Sequence, residues 1–137
     1  MTNKSELGLT AQLKNTTIAS AIAQVTEALK VEGFGVLTEI DVQATLKKKI
    51  DVDFRPYVIL GACNPKLAHR ALTAAPEVGL LLPCNVTVSQ VDPNTIEVSL
   101  VDPISMLDFV KRPELASVAA EAGERLARVA AALGKEN

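Results

Sequence analysis

The segment Tyr57-Val-Ile-Leu-Gly-Ala-Cys63 constrains this chain most, because neither alternate set of its side chains is polar. A strand wetted on one face alternates apolar and polar residues, whereas a strand apolar on both faces reads as a central strand in a covered sheet. Apolar periodicity alone leaves a buried helix open as a second reading of the same run. Asn64-Pro65 ends it. Asparagine caps helix N-termini and proline suits the first helical position. A helix therefore begins where the run stops, with Leu67, Ala68, Ala71 and Leu72 turned inward.

The same reading runs outward in both directions. Leu7, Leu9, Ala11 and Leu13 alternate with Gly8, Thr10 and Gln12, as in a half-buried strand. Asn15 or Thr16 can cap a helix over about 17 to 32, whose stripe is Ile18, Ile22, Val25 and Leu29, with Ile22 at its centre. Gly33 stands where a helix C-terminus needs positive φ. Phe34, Val36, Thr38, Ile40 and Val42 alternate as a second strand, and Ala44 to Ile50 reads as a short helix. Leu82, Cys84, Val86 and Val88 pair across the Asp92-Pro93-Asn94 turn with Ile96, Val98 and Leu100 as a hairpin. Pro113 opens a last helix lined by Leu115, Val118, Ala122, Leu126, Val129 and Leu133, and Gly134 ends it. The expected order is β-α-β-β-(α)-β-β-α. It predicts an α+β, two-layer sandwich: a mostly antiparallel sheet with helices on one face.

With 137 residues, 48% of them apolar, the chain suits a single domain over 1–137 with a true core. If the central strand is apolar on both sides, something must cover the second face. A second copy of the chain is the expected cover, so a homodimer is predicted. A net charge of -2, a pI near 5.4 and 3% aromatics, with no tryptophan, argue against nucleic-acid binding. The start shows no apolar leader and no run approaches a membrane span, so a cytoplasmic setting without a membrane partner is expected.

Three motifs are familiar together. Phe34-Gly-Val-Leu-Thr-Glu-Ile-Asp-Val, Ile59-Leu-Gly-Ala-Cys-Asn-Pro and Leu81-Leu-Pro-Cys-Asn-Val resemble the family known as domain of unknown function 302, over roughly residues 5 to 135. The resemblance implies a β-α-β4-α arrangement, also seen in the TATA-box-binding protein. It implies no activity, cofactor or DNA binding, because fold does not carry function.

The chemistry in the sequence centres on Cys63. It ends the apolar run and precedes a helix start, where unpaired N–H groups and the helix dipole favour a thiolate, with Lys66 nearby. The competing reading is a small buried hydrophobe. Cys84 falls in phase with Leu82, Val86 and Val88, which points to packing. Cys63, Asn64, Lys66 and Cys84 are the candidate ligand-binding residues. Cys63 and Cys84 with His69, the single histidine, are the candidates for a metal or haem-like cofactor, although helical rotation turns His69 toward solvent. Glu39 and Asp41 share a strand face, and Lys47-Lys48-Lys49 forms a charged helical edge; both read as solvated surface. No phosphate-loop or GxSxG motif occurs. The function that follows is a small binding or assembly domain, not expected to be an enzyme, with a candidate small-ligand site at the Cys63 helix start. A thiol-based redox or metal protein is the alternative, and the cofactor is unknown.

Overall fold

The computed structural model describes residues 2–108 and 110–135, so Phe109 lies outside the described residues. Six strands form one antiparallel sheet: β1 (Thr2–Lys4), β2 (Gly8–Lys14), β3 (Gly35–Asp41), β4 (Tyr57–Cys63), β5 (Cys84–Asp92) and β6 (Thr95–Val101). Their order is β1-β2-β6-β5-β4-β3. Helices are α1 (Ile18–Val31), α2 (Val42–Ile50), α3 (Pro65–Ala74), α4 (Pro103–Leu107) and α5 (Pro113–Lys135), with a 3-10 turn at Pro76–Leu81. Without β1 and the short helices, the order is β-α-β4-α, the framework expected from the sequence.

Register explains the two layers. One row across the sheet runs Leu9, Leu100, Val86 and Leu60, and the next runs Ala11, Val98, Val88 and Val58. These face α1 and the C-terminal half of α5, and they pack with Val25, Leu29, Leu126, Val129 and Leu133 into the main core. The alternate row runs Thr10, Ser99, Thr87, Ile59 and Ile40. That second face is therefore hydroxyl-rich on one side, with Thr10 and Ser99 hydrogen-bonded at 2.9 Å, and apolar only toward β3. The central strand is β4 as expected: Val58, Leu60 and Ala62 are buried inward, while Ile59 and Cys63 are half-buried.

Several boundaries differ from the periodicity for identifiable reasons. Leu7 precedes β2 and is 82% exposed, because β2 begins only at Gly8. Thr17, not Asn15 or Thr16, caps α1: its side chain accepts from the Ser20 N–H, while Asn15 is in the left-handed region at φ 53°. The buried ridge of α1 is Ala21, Val25 and Leu29, and Ile22 packs beside it half-buried rather than at its centre. Asp41 caps α2, accepting from Ala44 N–H at 2.9 Å, so Val42 starts the helix instead of ending the strand. Leu82 precedes β5, and Gly134 lies inside α5. The α1 C-terminus matches its expected chemistry. Gly33 has φ 83°, its N–H reaches Lys30 O, and Phe34 N–H reaches Leu29 O, closing a Schellman motif over two buried side chains.

A second apolar cluster forms beyond the main core. Leu67 and Ala71 of α3, Val78 of the 3-10 turn and Leu107 of α4 pack against Leu115, Val118, Ala119 and Ala122 in the N-terminal half of α5. One 23-residue helix thus belongs to both clusters.

Candidate functional site

The candidate site lies between the two clusters, where β4 hands over to α3. The Asn64 side chain makes that corner. Its Oδ1 accepts from Leu67 N–H at 3.2 Å, capping α3, and its Nδ2 donates to the Glu32 carbonyl at 3.3 Å, tying the corner to the end of α1. Arg125 of α5 donates to the same carbonyl at 3.1 Å, and Arg128 reaches the Glu32 carboxylate at 2.9 Å. Arg125 also meets Glu121, which Arg70 of α3 holds at 2.9 Å, keeping that carboxyl below its ordinary range through the Arg70 hydrogen bond. This network, exposed at Arg70 and Arg128 and half-buried at Glu32, Glu121 and Arg125, pins α3, α5 and the α1 terminus around one opening.

The opening is a cleft of about 340 Å³. Phe34, Leu37 and Thr38 approach it from the β3 side, Ala62 and Cys63 from β4, Leu67, Ala68 and Leu72 from α3, Pro83 and Cys84 from the start of β5, and Met106 and Ala122 from α4 and α5. Gly61 keeps the strand ends close: a Cβ there would meet Thr38 Oγ1 and come within 2.7 Å of Pro83. Among the described residues, no Lys, Arg, His, Asp or Glu lines the cleft.

Of the four candidate ligand-binding residues, three border this cleft: Cys63, Asn64 and Cys84. The register sets Cys84 opposite Ala62, beside Cys63 along β4. Strand parity sends the two side chains to opposite faces; both reach the cleft because it opens at the strand ends. Cys63 is half-buried. Cys84 is buried, and burial, with a smaller push from Cys63, raises its thiol to about 11. Lys66 is exposed on α3 and is not part of the lining. His69 is exposed one turn into α3, and no group of three or more His, Cys, Asp or Glu positioned for a metal occurs among the described residues. The three-ligand set of Cys63, His69 and Cys84 is thus not assembled, because the helix turns His69 outward. Glu39 and Asp41 lie at the sheet edge opposite Leu60 and Val58, exposed. Lys47 pairs with Asp51 and Asp53 at the surface.

Periodicity missed α4 and the 3-10 turn, and with them one wall of the cleft. A signal was present: Asp102-Pro103 repeats the cap-and-proline pattern of Asn64-Pro65, and Asp102 Oδ1 accepts from Ile104 N–H at 3.0 Å.

Fold and site together define a small α+β sandwich domain with an uncharged cleft at one end of its sheet. Residues 9–133 match the family described as Domain of unknown function DUF302, and the chain belongs to that family. A crystal structure of the uncharacterized conserved protein DUF302 from Bacillus stearothermophilus superposes with a TM-score of 0.80 at 33% identity, covering 90% of this chain and 97% of that one. No curated protein matches the sequence. No helix among the described residues is long and apolar enough to cross a membrane.

Proposed function

We propose that this chain is a non-enzymatic binding domain whose small-molecule ligand occupies the cleft at the Cys63–Asn64 corner. The observation that carries this reading is the cleft itself. Its volume falls within the range of small-ligand sites, and it is walled by strand ends and helices held by an ion-pair network rather than by loops. Native mass spectrometry of the chain purified from its own host tests it. A bound mass is expected, and it should vanish in Ala68→Trp, which fills the cleft from a half-buried helical position. A bare chain from the host, or a mass that survives the substitution, would remove the reading.

A second reading rests on both cysteines bordering that cleft: a thiol site at Cys63, with Cys84 as its buried neighbour. Iodoacetamide labelling with peptide mapping at neutral pH is its test. Cys63 should react faster than Cys84, and equal, slow labelling of both would count against it.

We also propose a homodimer through the sheet face opposite the helices. Ile40 is 49% exposed beside Ile59, and Val52 and Phe54 on the connection to β4 are exposed as well. A specific interface buries more than about 1,000 Å² in total. Light scattering should report a dimer at micromolar concentration and a monomer for Ile40→Asp; a monomeric parent chain would sink the proposal.

A further inference from the structure

Resting on the cleft reading, we infer that the ligand is an uncharged, apolar molecule about the size of two fused aromatic rings, and that carboxylates and ammonium ions are rejected. Size follows from volume. A cavity of about 150 Å³ takes benzene, so 340 Å³ admits roughly twice that bulk. Charge follows from the wall. Among the described residues, nothing lining the cleft bears a charge that would compensate an ion.

The polar groups on that wall are few. Asn64, the strongest of them, has its oxygen committed to Leu67 N–H and its amide nitrogen donating to Glu32 O. The two arginines that hold the corner are also committed: Arg70 to Glu121, and Arg125 to Glu121 and the Glu32 carbonyl, while Lys66 is exposed on α3 and off the lining. Thr38, Cys63, Cys84 and Met106 remain, and each suits weak contacts to a neutral ring system better than the solvation of an ion. The wall already shows how it treats charge. The Cys84 thiol is held in its neutral form well beyond its ordinary range, chiefly by loss of water. An ion placed beside it would meet the same loss.

Three probes of one shape test this: 1-naphthylmethanol, 1-naphthoate and 1-naphthylmethylammonium. The chain has no tryptophan and one tyrosine, so naphthalene emission is read against little protein background. The alcohol is expected to bind at least about tenfold more tightly than either ion. Its backbone ¹H–¹⁵N shifts should centre on Cys63, Ala68 and Leu72, and Ala68→Trp should abolish those shifts. An ion that binds as well as the alcohol at those residues overturns the ligand class while leaving the cleft reading intact. Failure of all three probes, or shifts confined to the sheet face, overturns the inference, while the cleft reading stands or falls separately on the bound mass of the host-purified chain.

Discussion

At the scale of single residues, Cys84 has a consequence readable in stability. Burial raises its thiol to about 11 in the folded chain, above the value near 9.0 of a free thiol. Between those two values the unfolded chain has released a proton that the folded chain retains. Stability is therefore unaffected below about pH 9 and falls as pH rises toward 11, by at most about 3 kcal/mol. Urea unfolding at pH 8 and pH 10.5 should show this loss in the parent chain and a smaller one in Cys84→Ala; equal slopes for the two would disprove it. Gly61 makes a steric prediction. Its absent side chain lets Thr38 and Pro83 close over the strand, so Gly61→Ala should cost about 1–3 kcal/mol in chemical denaturation despite ordinary strand dihedrals. Neither effect was readable beforehand. Phase alone placed Cys84 on the packed face, but the glycine's neighbours come from residues 23 positions before it and 22 after it.

At the scale of elements, α1 shows how far periodicity reaches. A stripe at 18, 22, 25 and 29 and one at 21, 25 and 29 differ by a small rotation, and alanine at 21 looks unremarkable in a sequence rich in alanine. Ala21 nevertheless faces the sheet because a small side chain lets helix and strands approach closely, leaving the larger Ile22 on the flank. Leu29→Ala should then cost about 2–5 kcal/mol, and Ile22→Ala only about 1 kcal/mol, in thermal or urea unfolding. The reverse order would restore Ile22 to the centre of the stripe. Ends with explicit chemistry were legible: Gly33 closes α1, Asn64-Pro65 opens α3 and Pro113 opens α5. Less legible were ends where two signals overlap. Asp41 alternates properly for a strand and also caps a helix, and only the folded backbone decides which role prevails.

At the scale of the whole molecule, layer order and sheet direction were legible because the four inner strands, β2, β6, β5 and β4, each turn a run of apolar side chains to one face, whereas β1 carries no apolar residue and β3 sets Glu39 and Asp41 beside Leu60 and Val58. The second face was read less well. Tyr57 to Cys63 is apolar on both sides by itself, yet its β5 and β6 neighbours place Thr87 and Ser99 in the same row, so only the β3 side of that face is apolar. The cleft was half legible: Cys63, Asn64 and Cys84 were named, while the wall built by α4 and α5 depends on long-range packing that no local pattern records. That packing divides α5 between two clusters, and the division has a kinetic meaning. The second cluster can open with α3 and α4 while the sheet core stays closed, so amide hydrogen exchange should split the helix. Amides over 115–122 are expected to exchange through a partial opening of lower free energy, and those over 126–133 only with global unfolding. A single protection level along all of α5 would mean the two clusters melt as one. If the split is seen, α5 is a continuous rod with two melting thresholds, and the walls of the cleft loosen well before the sheet does.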